Sequence, residues 1–231
     1  MNYLIFRGVS TQTLSGVYVA QMPSHRKAAM RYTEYYIKGR DGALHVDEGY
    51  ENFDLTVKLV LIKAAATQRY VVNAWADGTG KLVTSDDTTR AYQASVKGDI
   101  QWQRVQANGG FYDTATITFN CQPFMVESVD SQVTITGTQT ISNPGSAISY
   151  PMIMVNGSGN AKFTVNGSEI SIDSMTSGVP VYIDCANGYV YTASGATSMR
   201  GDIPYLKMGN NTIACGTGVS SIVLTPHWRW V

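Results

Sequence analysis

The chain has 231 residues and a formal net charge of zero, from 17 basic and 17 acidic side chains. That length accommodates two domains, each able to bury a core without staples, and the charge balance excludes the basic excess that a nucleic-acid or anionic-membrane partner requires. The three cysteines, Cys121, Cys185 and Cys215, are odd in number and far apart, which argues against a disulfide framework or a zinc motif and fits small core residues in a reducing compartment.

In the opening MNYLIFRGVS, Arg7 interrupts the only apolar stretch, so a signal-peptide layout is not expected and the chain reads as made in the cytosol. Residues 32–37, YTEYYI, are β-rich. Residues 38–53, KGRDGALHVDEGYENF, crowd charges and a histidine together and read as a strand–loop–strand crossover, with Gly39 and Gly42 supplying backbone freedom. In 52–62, NFDLTVKLVLI, Phe53, Leu55, Val57, Leu59 and Leu61 share one face at a strand's period of two. LTVKLVLIKAAA is too short to span a bilayer and carries Lys58 and Lys63. The pattern then changes. Ala64, Val71, Val72 and Trp75 fall at helical spacing, predicting a helix over about 64–76 that ends at Asp77-Gly78. Asp77–Lys81, DGTGK, lacks the spacing of a phosphate loop and reads as a helix-to-strand turn. Strands resume at KLVTS, AYQASV, IQWQRV and FYDTATITFNC. In the last, Ala115, Ile117, Phe119 and Cys121 share a face.

Composition shifts near residue 127: 13 basic and 12 acidic residues precede that point and 4 and 5 follow it. The shift predicts two domains, 1–127 and 128–231, joined within QPFMVESVDSQ (122–132). The second domain reads as all-β. Asn-Gly at 156–157, 166–167 and 187–188 signals hairpins, because both central residues of a type I′ turn need positive φ. Strand candidates recur about every ten residues, the rhythm of a sandwich or jelly roll. The fold class is therefore mainly β: a β-sandwich with one packed helix, then a second β-sandwich.

Little in the chain points to chemistry. His25, His45 and His227 form no HExxH arrangement. Cys215 and His227 could meet only in the fold and lack any flanking nucleophile signature. Asp47-Glu48 and Asp86-Asp87 would point to opposite faces of a strand, so these pairs and Asp184 read as turn or surface residues. Trp228 and Trp230 alternate with Arg229 and read as a core-facing pair on the final strand. No catalytic, cofactor or metal residues are assigned.

Several ordered motifs carry a resemblance. EYYIKGRDGALHVDEGYENFDLTVKL (34–59) has a strand, a Gly-Arg-Asp-Gly turn and a Gly-Tyr-Glu-Asn lead into a long strand. SNPGSAISYPMIMVNGSGNAKFTVNG (142–167), YIDCANGYVY (182–191) and LTPHWRWV (224–231) follow in order. Together with NYLIFRGVST at the start, they resemble the distal tail protein (Dit) family of long-tailed siphophages across nearly the whole chain. The resemblance implies an N-terminal sandwich with one helix that forms a hexameric ring, and a galectin-like C-terminal sandwich. The ring is the hub at the virion tail tip, between the tail tube protein and the tip (Tal) protein. DNA passes through its channel without specific binding, receptor-binding proteins often dock on it, and no catalysis, cofactor or membrane insertion is involved. On this reading Gly39, Arg40, Asp41, Gly42 and Tyr50 are candidate intersubunit ring contacts, with Arg40 as the bridging residue. The alternative is a carbohydrate-binding, lectin-like protein of host adhesion.

Overall fold

A computed structural model describes residues 2–62, 66–107 and 109–231. The chain is mainly β and divides into two compact units, one running to Ser128 and one spanning Val129–Trp230.

The first unit contains β1 (Leu4–Phe6), β2 (Val9–Ser10), β3 (Val17–Gln21), β4 (Met30–Tyr36), β5 (Ala43–Tyr50), β6 (Phe53–Ile62), α1 (Ala66–Trp75), β7 (Thr79–Thr84), β8 (Asp87–Lys97), β9 (Trp102–Ala107) and β10 (Gly110–Glu127). The main sheet runs β2-β1-β7-β8-β10-β6-β3, with β9 also on β10. β10 is its spine. One edge pairs with β6 over 112–121, while the other pairs with β9 over 110–115 and with β8 over 118–127. Leu55, Val57, Leu59 and Leu61 on β6 are buried beside Ala115, Ile117, Phe119 and Cys121 on β10, as the alternation requires. Phe6 and Phe119 sit three strands apart in the sheet order, about 14 Å on a flat sheet. Their rings nevertheless meet edge-on at 5.1 Å, and Trp75 of α1 closes the cluster at 6.0 and 6.3 Å. The sheet therefore curls over its own apolar face, with the helix packed there.

The helix differs from expectation in one residue. Val72 and Trp75 are buried, with Ala76 just beyond, but Val71 is 51% exposed. Residue 64 lies outside the described residues. A ten-residue helix shows its core only a narrow stripe, which Val72 and Trp75 fill. Of the 77–81 segment only Asp77-Gly78 is the helix-to-strand turn, since Thr79 already opens β7; Gly78 sits at φ 79 and the Arg7 guanidinium donates to the Asp77 carbonyl at 2.8 Å.

The segment 122–127 is not a linker. β10 continues through it after a bulge between Cys121 and Met125 that contains Pro123. The bulge absorbs the missing proline N–H, so pairing with β8 resumes beyond it.

The second unit contains β11 (Val133–Ile135), β12 (Thr138–Asn143), β13 (Met152–Gly157), β14 (Gly159–Val165), β15 (Ser168–Met175), β16 (Val181–Asp184), β17 (Tyr189–Thr192), β18 (Gly195–Ala196), β19 (Gly209–Cys215), β20 (Val219–Thr225) and the short β21 (Arg229–Trp230). Two sheets, β11-β20-β13-β16-β17-β18 and β12-β19-β14-β15, enclose a shared core that includes Ile153, Val155, Phe163, Ile170, Ile213 and Leu224. This is a β-sandwich. Trp228 is buried, and the half-buried Trp230 packs against the same core.

The three Asn-Gly pairs of the second unit do three different things. Asn166-Gly167, at φ 51 and 87, is the two-residue hairpin between β14 and β15. Asn187-Gly188 closes a longer loop in which the Asp184 carboxylate accepts from the backbone N–H groups of Ala186 and Asn187. Asn156-Gly157 makes no hairpin: β13 pairs with β16 and β20, while β14 belongs to the other sheet. Glycine is needed at 157 because a Cβ there would overlap the Gly218 carbonyl oxygen.

Candidate assembly interface

The segment 30–50 departs most from the sequence reading. Residues 43–50 form a full strand, not a loop. β5 folds back on β4 from Tyr36↔Ala43 down to Met30↔Tyr50, and the two strands form a sheet of their own. The expected crossover is thus a hairpin arm. Its tip is a turn in which the Arg40 N–H donates to the Ile37 carbonyl at 3.1 Å, with Gly39 at φ 84 and Gly42 at φ 75. Those backbone angles favour glycine at both ends of the Arg40-Asp41 pair.

The five candidate contact residues therefore do not all meet. Gly39, Arg40, Asp41 and Gly42 share the exposed tip. Tyr50 sits at the opposite end of β5, half-buried and edge-on to Phe124 at 5.4 Å.

Directly opposite residues share a face of an antiparallel pair, and this hairpin has two unlike faces. One carries Tyr32, Glu34 and Tyr36 opposite Asp47, His45 and Ala43. It is internally bonded: His45 stacks on Tyr32 at 4.7 Å and lies 3.4 Å from Glu34, and the Tyr36 hydroxyl donates to Glu34 at 2.7 Å. The other face carries Tyr35 and Thr33 opposite Leu44 and Val46, with the Thr33 hydroxyl donating to Glu48. Tyr35 is 56% exposed, and Val46 and Leu44 are also exposed. None of these residues belongs to either hydrophobic core. A two-stranded ribbon with an uncovered apolar face is marginal in water, so a partner is the natural completion of this face.

The root of the arm is tied down by groups that sequence reasoning passed over. Residues 22–29 have no regular structure. Within them, His25 pairs through Nε2 with Asp86 and through Nδ1 with the Tyr92 hydroxyl at 3.1 Å. Ala28 is buried, and the Ala29 carbonyl accepts from the Glu51 N–H at 2.8 Å. Burial pushes the Tyr92 phenol up to about 12, so it remains a neutral hydrogen-bonding group and this chain of contacts is an anchor.

A second missed group is Asp113 on β10, fully buried. It accepts from Arg69 Nε at 2.8 Å and Arg104 Nε at 3.1 Å. Burial alone would raise this carboxyl, but hydrogen bonds from Arg104 and Arg69, together with their charges, outweigh it and hold the pKa below the ordinary range. The parity 113, 115, 117 was the available signal, since it places Asp113 on the inward face. Asp113→Asn is expected to destabilise the first unit by about 3 kcal/mol, the lower end for a broken buried pair because both arginines reach solvent. A depressed folded pKa contributes stability that is present above the unfolded value, about 3.9, and lost as pH falls through the folded one. Urea titrations at pH 7 and pH 3 should therefore show a smaller acid-induced loss in Asp113→Asn than in the unmodified chain.

The remaining reactive types are committed elsewhere. Burial pushes the Cys121 and Cys185 thiols up to about 12. Cys215 donates to the Ile135 carbonyl, and His227 Nδ1 lies 3.3 Å from the Tyr150 carbonyl. Asp87 Oδ1 accepts from the Thr89 N–H and hydroxyl, a turn role. Among the described residues, no three His, Cys, Asp or Glu side chains converge as a metal site, and no helix is long and apolar enough to cross a membrane.

No family model and no curated protein sequence matches the chain. Its fold, in contrast, has solved counterparts. The chain is similar to the Dit protein (gp 19.1) of phage SPP1, a paradigm of the hub adsorption apparatus in phages that infect Gram-positive bacteria. That likeness has a TM-score of 0.74 at 18% identity, covering 100% of both chains. It is also similar to a chain of the phage P2 baseplate in its activated conformation with Ca, with a TM-score of 0.51 at 8% identity over 96% of each chain. For the same baseplate with Sr the values are 0.51, 7% and 97%.

Proposed function

We propose that this chain is a distal tail protein of a siphophage: a structural hub at the virion tail tip that joins the tail tube to the tip (Tal) protein. One observation carries the reading. The fold likeness to the SPP1 Dit protein runs through both units and covers each chain completely, as expected of a shared architecture. On this reading six copies close into a ring by a heterologous interface that repeats by rotation. The hairpin arm is the intersubunit element, and the galectin-like second sandwich is available to receptor-binding proteins. The zero net charge suits a channel that lets DNA pass without holding its phosphates. The hub works without catalysis.

Negative-stain images of the purified protein, alone and mixed with its tube and tip proteins, are expected to show six-fold rings. A strict monomer under both conditions would sink the proposal. At the arm tip, Arg40 and Asp41 are exposed and are assigned to ring contacts, with Arg40 bridging. Arg40→Ala is expected to weaken each contact by about 0.2–1 kcal/mol and to flatten the salt dependence of assembly. An unchanged salt profile by light scattering would remove Arg40 from the interface while leaving the hub intact.

A further inference from the structure

We infer that the apolar face of the hairpin docks on the outward face of the first unit's sheet in an adjacent copy of this chain, at a patch formed by Tyr18, Val60, Ile62, Val105 and Tyr112. The inference rests on the ring reading and names the surface that receives the arm.

Four neighbouring strands build the patch. Tyr18 of β3 opposes Val60 of β6, Ile62 of β6 opposes Tyr112 of β10, and Tyr112 opposes Val105 of β9. All five lie on the face opposite the core, because their in-between neighbours Val17, Leu59, Leu61 and Asp113 are the buried ones. Tyr18 is 39% and Ile62 46% exposed, and the other three are half-buried. The patch is also local. Along β10 and β6 the same outward face turns polar within one or two positions, through Thr114, Thr116 and Lys58 to the Asp54–Lys97 ion pair. An apolar end on a face that turns polar along β6 and β10 marks an interaction surface.

The occupant follows from complementarity. Along β6 the outward side chains read Lys58, Val60, Ile62, and along the apolar side of β5 they read Glu48, Val46, Leu44. Face to face, the aliphatic pairs cover one another and Glu48 meets Lys58, which fixes the register by charge. The arm and patch belong to different faces of one chain, so the contact between copies is head-to-tail, the kind that closes rings.

Two singly substituted proteins test this, Tyr35→Cys and Ile62→Cys, each also carrying Cys215→Ser because the other native thiols are buried. Mixed and treated with a short bismaleimide, they are expected to give covalent heterodimers that neither forms alone. Ile62→Asp is expected to keep its circular dichroism and melting temperature, since Ile62 is half-exposed, yet to lose rings at least tenfold in number. A cross-link in Tyr35→Cys alone would mean arm-to-arm contact and overturn the inference. Rings from Ile62→Asp, with no mixed cross-link, would place the acceptor elsewhere and leave the hub reading standing. Absence of rings from the unmodified chain, with or without tail partners, would remove both.

Discussion

Replacing residues 30–50 with a short Gly-Ser linker is expected to abolish ring assembly while leaving both units folded. The hairpin contributes no side chain to either core, and its strands pair only with each other. Removing it costs the first unit root contacts such as Tyr50 on Phe124. The arm itself exposes Tyr35, Tyr36, Ile37, Leu44 and Val46, and covering such side chains contributes roughly 25 cal/mol per Å² of apolar surface removed from water. A ring repeats that contribution at every interface, so its loss in all copies at once leaves no partly assembled compromise. Light scattering and negative stain, with tube and tip proteins present, should find single chains for the deletion under conditions where the unmodified protein makes rings. Rings from a folded deletion protein would show that the arm is not the assembling element.

Phe119→Ala should be the most damaging single substitution in the first unit. Phe119 is fully buried and edge-on to both Phe6 and Trp75, so it holds the curl of the sheet and the seat of α1 together. Truncating a buried phenylalanine costs about 3–5 kcal/mol, from lost transfer energy and the cavity left behind, and edge-to-face contacts add to that. The upper half of this range is expected here, because the vacated space lies between a strand and a helix fixed on opposite sides. The melting temperature of the first unit should fall on the order of 10–15 °C. Hydrogen exchange should localise the loss to β1, β10 and α1, with the second unit's amides unchanged. A loss under 1 kcal/mol would mean the cluster collapses freely and does not organise the fold.

Several features were legible without coordinates for a common reason: each depends on residues close in sequence. The alternation on β6 and the central part of β10 is a two-residue period, and the buried set matches it from Leu55 to Leu61 and from Ala115 to Cys121, with Phe53 half-buried at the start of β6. Asn166-Gly167 makes its hairpin because the positive φ angles of a type I′ turn are a property of two residues. The helix end at Asp77-Gly78 is equally local. Val71 falls at helical spacing with Val72 and Trp75 yet is exposed, because helical spacing alone does not say how wide a buried stripe the neighbouring sheet allows.

The features that were hidden depend on who lies across from whom. Asn156-Gly157 carries the same dipeptide as the true hairpin, yet its glycine answers the close approach of Gly218, 61 positions later. Residues 43–50 alternate only briefly, Leu44 and Val46 against His45 and Asp47, before Glu48 and Gly49 interrupt the pattern, and nothing in so short a run says that its partner strand is 30–36. Asp113 looks like any strand-borne aspartate until Arg69 and Arg104 arrive from a helix and another strand. The sequence by itself determined the β-rich composition, the principal strands and the helix that ends at Asp77-Gly78, all read from local periods, while its ordered motifs carried the resemblance. Only the tertiary structure decided that β10 serves two strands along one edge, that the sheet curls onto Phe6 and Phe119, and that 30–50 stands free as an amphipathic arm. Pairing partners and solvent exposure are set by contacts between distant segments, and no local pattern encodes them.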